Sequence, residues 1–229
     1  MMKVVSLLFV GLAALSVNAD ALDTQVTEHS LESTDELELI NVSAEVVEHE
    51  GRRGLRVRRA DDYAEGGTLV LITGTEFQNG MIELELAGEP APDADPAMRG
   101  FVGVAFRVDP EDPNRYECFY LRPTNARADA QLRRNHTTQY VSHPDYPWYR
   151  LREESPGVYE SYVDLVPGSW TKVRIEVSGN QAQLYVHGAD QPVLIVNDLR
   201  GSTTSGPVGL WLHSSTLAHF RNLRIRPAE

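Results

Sequence analysis

Trp170-Thr171-Lys172-Val173-Arg174-Ile175-Glu176-Val177, then Ser178-Gly179-Asn180-Gln181, then Ala182-Gln183-Leu184-Tyr185-Val186: this stretch sets the class of fold. Val173, Ile175 and Val177 fall on one face of an extended chain and Lys172, Arg174 and Glu176 on the other. That is the two-residue period of a strand with one buried side. Ser178 to Gln181 is a hairpin turn, and the chain returns with Leu184 and Val186 inward. Upstream, Asn79-Gly80 turns the chain into Met81 to Leu86, where Ile82, Leu84 and Leu86 oppose Glu83 and Glu85. Glu36 to Ile40, Ala44 to His49, Gly54 to Arg58, Thr68 to Ile72 and Phe101 to Val108 read as strands. So do Glu117 to Leu121, Tyr159 to Leu165, Val193 to Val196, Val208 to His213 and Phe220 to Ile225. No amphipathic helix of useful length interrupts them. Short one-sided strands at even spacing bury themselves as two packed antiparallel sheets, an all-β jelly-roll sandwich. Residues 37–229 show no internal repeat and no second domain.

The ends bound that domain. Lys3 followed by the apolar run Val4 to Val17, then Val17-Asn18-Ala19, reads as an export signal over residues 1–19. The run is shorter than the roughly 20 apolar residues of a membrane span, and no later stretch reaches that length. The protein is therefore expected to be exported, periplasmic or secreted. Residues 20–36, polar and acid-rich, are expected to form a flexible lead-in. The chain carries 33 Asp and Glu against 21 Lys and Arg, a net charge of −12. Such a surface repels phosphates, which excludes nucleic acid as a partner. Cys118 is the single cysteine, so no intramolecular disulfide forms, and it reads as a small buried apolar residue.

Several stretches resemble the concanavalin A-like lectin/glucanase superfamily. They are Trp170 to Val177, Gln183-Leu184-Tyr185-Val186-His187-Gly188 and Gly206-Pro207-Val208-Gly209-Leu210-Trp211, with Phe77 to Glu83 and Gly100 to Arg107. The likeness is nearest to exported laminin-G-like and 3-keto-disaccharide-hydrolase-like domains. It covers most of residues 37–226 and implies a glycan-facing concave sheet. The catalytic Glu-x-Asp-x-Glu strand of the family-sixteen glucanases does not occur, so their mechanism does not transfer. Because the superfamily mixes enzymes, lectins and adhesion modules, the resemblance implies a fold and a poly- or oligosaccharide partner more firmly than a reaction.

One segment departs from the acidic background. From Arg122 to Arg152 six arginines stand against two acids, Asp129 and Asp145, with histidines and aromatics among them. Tyr116, Tyr120 and Arg122 share the outward face of one strand. Gly103, Ala105 and Arg107 share that of its neighbour and leave space above the sheet. Pro123 to Pro156 has no strand or helix period and reads as a long ordered loop over this face. Three readings compete. In β-elimination, Arg122, Asn125, Arg127 and Arg134 neutralise a carboxylate, His136 or His143 is the base, and Tyr140, Tyr146 or Tyr149 is the acid. The arginine excess fits an acidic sugar better than a neutral one. In hydrolysis two carboxyls flank the bond, drawn from Glu117, Asp145, Glu153, Glu154 and Glu160, of which Glu160 has the outward parity. In binding without chemistry, Tyr116, Tyr120, Tyr146, Trp148 and Tyr149 stack on sugar rings, and Arg107 and Arg122 bond their oxygens. Arg122, on an open face, is expected to tolerate alanine with little change in thermal unfolding. No metal or cofactor is expected. His136 and His143 are too sparse a ligand set, and Asp109 to Asn114 reads as a turn in preference to a structural calcium loop.

Overall fold

The computed structural model describes residues 26–228, so the export signal read at residues 1–19 lies outside the described residues. Two antiparallel sheets form the molecule. The larger has the spatial order β13 (Leu194–Val196), β12 (Gln181–Val186), β11 (Thr171–Ser178), β6 (Gly80–Pro90), β15 (Thr216–Pro227), β4 (Arg52–Arg59) and β3 (Val42–His49). An eighth strand, β1 (Thr27–His29), runs beside the second half of β15. The smaller sheet has the order β10 (Glu160–Ser161), β9 (Thr138–His143), β8 (Tyr116–Leu121), β7 (Val102–Phe106), β14 (Gly209–Leu212), β5 (Leu69–Ile72) and β2 (Leu37–Ile40).

The one-sided strands of the sequence account for the core. Val173, Ile175, Val177, Ile82, Leu84, Leu86, Leu55 and Phe220 from the larger sheet bury with Val102, Val104, Phe106, Phe119 and Leu121 from the smaller. Each such side chain withdrawn from water contributes roughly 1.5–3 kcal/mol. The outer face of the larger sheet is a ladder of opposite charges. Lys172 meets Glu83 at 2.6 Å, and Glu85 takes both Arg52 (3.1 Å) and Arg221 (3.3 Å). On the same sheet His49 lies flat on His219, ring centroids 3.8 Å apart, with Trp170 edge-on to both. Burial, then the neighbouring His49, depresses the His219 pKa to about 4.

The structure departs from the sequence reading in three places. Within the lead-in, β1 pairs with β15 and Leu31 enters the core, so residues 27–31 belong to the sandwich. A three-residue strand whose partner lies at the other end of the chain has no period to read. Second, the segment read as a long loop contains a 3-10 turn (Pro123–Asn125), α1 (Gln131–Asn135), β9 and α2 (Trp148–Glu154). β9 escapes a periodic reading because both its faces are buried and its polar side chains are satisfied locally. Gln139 Nε2 donates to the Tyr140 and Tyr159 carbonyls, and Thr138 Oγ1 lies 2.8 Å from Ser161 Oγ. Third, the strand expected over Tyr159 to Leu165 shortens to β10.

A single row of residues crosses five strands of the smaller sheet. Trp211 of β14, Gly103 of β7, Tyr120 of β8, Gln139 of β9 and Glu160 of β10 stand in register. A Cβ on Gly103 would collide with the Phe119 carbonyl oxygen and sit 2.6 Å from Tyr120 Cβ. Gly103→Ala is therefore expected to destabilise the fold by about 1–3 kcal/mol, read as a lower denaturant midpoint. An unchanged midpoint would show that the strands part without cost. His219 gives a second expectation. It binds a proton at about 4 when folded and near 6.5 when free, so between those values the unfolded chain holds the extra proton. Thermal stability should fall as pH is lowered through that window, and fall less steeply in His219→Phe; equal slopes would remove His219 as the cause.

Candidate functional site

A cleft of about 510 Å³ lies on the outer face of the smaller sheet. Its floor is aromatic because Gly103 leaves room between its two neighbours in the row. With no side chain on Gly103, Tyr120 and Trp211 meet across the intervening strand, ring centroids 4.8 Å apart at 31°. Trp211 Nε1 donates to the Tyr116 hydroxyl at 3.0 Å, and Tyr116 stacks on His143 at 5.2 Å. Burial pushes the Tyr120 phenol up to about 12 and Tyr116 higher still, so both keep their protons. Space expected above Gly103 and Ala105 is thus covered by rings lying down over it.

The wall beside the floor is built on a buried carboxylate. Glu160, its side chain 3% exposed, accepts from Arg122 Nη1 at 3.3 Å and from Arg152 Nε at 3.0 Å, with Arg152 Nη2 on its other oxygen. Arg122, 6% exposed, also donates to the His136 carbonyl (3.0 Å), Tyr120 hydroxyl (2.9 Å) and Gln139 Oε1 (2.9 Å). His136 Nε2 stands 3.5 Å from Glu160. Burial lowers the His136 pKa, opposed by Glu160 and reinforced by Arg152 and Arg122, which favours the neutral ring. Beside this wall, Arg99 from the β6–β7 loop and Arg133 from α1 line the cleft and form no ion pair with a carboxylate among the described residues. Burial, then Arg133 and Arg122, lowers the Arg99 pKa.

Two further histidines line the cleft in opposite tautomers. His143 Nδ1 lies 2.5 Å from the Asn114 carbonyl and must donate to it, so the neutral ring has its lone pair at Nε2. His213 Nδ1 accepts the Ser215 N–H at 3.2 Å, so its proton resides on Nε2. Burial lowers the His213 pKa and keeps that ring neutral. One imidazole is thus arranged as a base and the other as a neutral donor.

Of the residues singled out in the sequence, Tyr116, Tyr120, Arg122, Asn125, His136, His143 and Trp148 line this cleft. The others do not. Tyr140 is on the inner face opposite Phe119, its hydroxyl donating to Glu117 and accepting from Arg200 N at 2.7 Å. Arg107 has a φ of +52°, which ends the strand alternation and turns the side chain onto the Gln78 and Gly179 carbonyls (2.9 and 2.8 Å). Arg127 pairs with Asp164 at 2.9 Å, and Arg134 reaches the Tyr162 hydroxyl at 3.1 Å. Tyr146 is flanked by Arg150 and Arg200, Tyr149 projects into solvent, and Glu160 lies beneath the wall. No Asp or Glu lines the cleft, so the two-carboxyl reading finds no pair there. Trp211, His213, Phe101, Arg99, Arg133 and Arg152 line it without having been singled out. For Trp211 and His213 the signal was present, since they alternate with the inward Leu210 and Leu212. Asp109 and Asp112 accept the N–H groups of Glu111 (2.9 Å) and Asn114 (3.2 Å), as turn residues do, and no group of three or more His, Cys, Asp or Glu is gathered for a metal among the described residues.

The burial of Arg122 reverses the expectation that it is dispensable for stability. Arg122→Ala leaves Glu160, Gln139 and Tyr120 short of a partner and should cost roughly 3 kcal/mol. Chemical denaturation checks this; wild-type stability in the variant would mean that water replaces the guanidinium freely.

No curated protein is similar enough to this chain in sequence to stand as a relative. Solved structures share its fold. The carbohydrate-binding module CBM66 from Bacillus subtilis superposes with a TM-score of 0.55 at 13% identity, over 82% of this chain and 93% of that one. A Bacillus subtilis protein with a galectin-like fold gives 0.55 at 12% identity, over 87% and 94%. A putative glycosyl hydrolase from Parabacteroides distasonis gives 0.52 at 15% identity, over 88% and 100%. At such identities the likeness is one of architecture, the two-sheet galectin-like sandwich. The family model described as a 3-keto-alpha-glucoside-1,2-lyase-like domain matches residues 31–226, nearly all of that sandwich. The chain belongs to this carbohydrate-related family of 3-keto-alpha-glucoside-1,2-lyase-like domains.

Proposed function

We propose that this domain, once exported, binds a saccharide on Tyr120 and Trp211 and cleaves it by β-elimination beside a ring ketone. The observation that carries this reading is the pair of opposed histidine tautomers over an aromatic floor. In a 3-keto-α-glucoside the ketone acidifies the hydrogen on C2. His143 Nε2 takes that proton, and the electron pair moves toward the ketone oxygen, where the His213 Nε2–H and the guanidiniums of Arg99 and Arg133 receive the developing charge. The pair then forms the C1–C2 double bond as the bond from C1 to the leaving oxygen breaks. His143, which now carries the C2 proton, returns it to that oxygen and regains its neutral form. The product is a C1–C2 alkene conjugated to the C3 carbonyl, and no water is consumed. Hydrolysis is disfavoured by the lack of acids in the lining.

The test is to incubate the protein with a 3-keto-α-glucoside and follow ultraviolet absorbance. Growth of an enone band is expected, and His143→Gln should slow it by about 10²–10⁴-fold with affinity nearly unchanged. An undiminished rate would remove His143 as the base. Reducing ends without the band would make the domain a hydrolase, and binding without either product would make it a carbohydrate-binding module.

A further inference from the structure

We infer that the cleft is one half of a longer groove, and that the other half is a subsite for sugar units on the leaving-group side of the substrate. The inference rests on the reading of the first cleft as a saccharide site. A second cavity of about 630 Å³ adjoins the cleft, and His136 and Arg152 line both. These two side chains form a sill, since each keeps part of its surface in solvent. The sill is held from below and from the side. Glu160 fixes Arg152 through two hydrogen bonds, and the Arg152 guanidinium lies over the Trp148 ring at 4.7 Å.

Beyond the sill stands Tyr162, 41% exposed, its ring backed by the Arg134 guanidinium at 5.3 Å. Leu132 of α1, 69% exposed, lines the same cavity. Both side chains offer apolar surface to the cavity. Asn135, on the same wall, has its Oδ1 occupied by Gln131 Nε2 at 2.7 Å, which leaves its amide N–H groups to give. A pyranose ring meets those demands together. Its C–H face packs on an aromatic ring, and its hydroxyls accept from an amide. Continuity with the first cleft names the occupant. A ring held over Tyr120 and Trp211, with its leaving group crossing His136 and Arg152, delivers the next units to Tyr162.

The experiment uses α-linked glucose oligomers of two, three and four units, each oxidised at C3 of the non-reducing unit. Affinity is read by calorimetry and elimination by enone absorbance. Affinity should rise by roughly three- to tenfold from two units to four. Tyr162→Ala should abolish the rise while the two-unit compound binds and reacts as in wild type, and Tyr162→Phe should retain the rise. A two-unit compound that reacts while longer ones bind no better overturns the subsite alone, as does a rise that survives in Tyr162→Ala. Failure of every length to bind overturns the first cleft's reading and the subsite with it.

Discussion

Glu160 is a carboxyl side chain almost wholly withdrawn from water, a position that needs polar partners. It lies at the edge of the smaller sheet, removed from water, and it is tolerated because Arg122 and Arg152 reach it from two directions. Those directions belong to different parts of the chain. Arg122 follows β8, Arg152 comes from α2, His136 follows α1, and Glu160 begins β10. A cluster of this kind adds little net stability over a well-packed apolar one, since desolvating the charges cancels most of their attraction. Its effect is geometric. Its bonds tie α2, β8, β10 and the residue that follows α1 to one another beside the aromatic row.

The same cluster explains why the arginine-rich segment is legible as unusual in the sequence and yet misleading in detail. Its charge reversal is local to the sequence. In space the excess is largely balanced by acids that follow in the chain, Glu154, Glu160 and Asp164, which take Arg150, Arg152, Arg122 and Arg127. Arg122 and Arg152 hold the wall together, Arg127 and Arg150 are spent in exposed pairs, and Arg99, which lies outside the segment, faces the cleft without such a partner. The sandwich itself is readable because strands with one wet face show a period of two. Where both faces are buried, as in β9, the period vanishes, and with it the parity that would have put Tyr140 inside. Arg107 is lost to a subtler cause, a single left-handed residue at a strand end.

The two outer faces show how one sandwich can serve unlike ends. On the larger sheet, charges are consumed pairwise along the strands, so a ligand there would have to displace one partner to meet the other. On the smaller sheet, glycine and alanine in the middle strand let aromatic rings lie flat, and polar groups are confined to the margin.

The row through Gly103 also divides the site by freedom to change. Tyr120, Gln139, Arg122 and Glu160 are bound to one another, so altering one disturbs the rest. Arg99, Arg133 and His213 hang from loops and a helix around that row and take little part in its bonding. A substitution at the margin therefore changes the groups offered to a ligand, while the cross-strand row keeps the sheet in register.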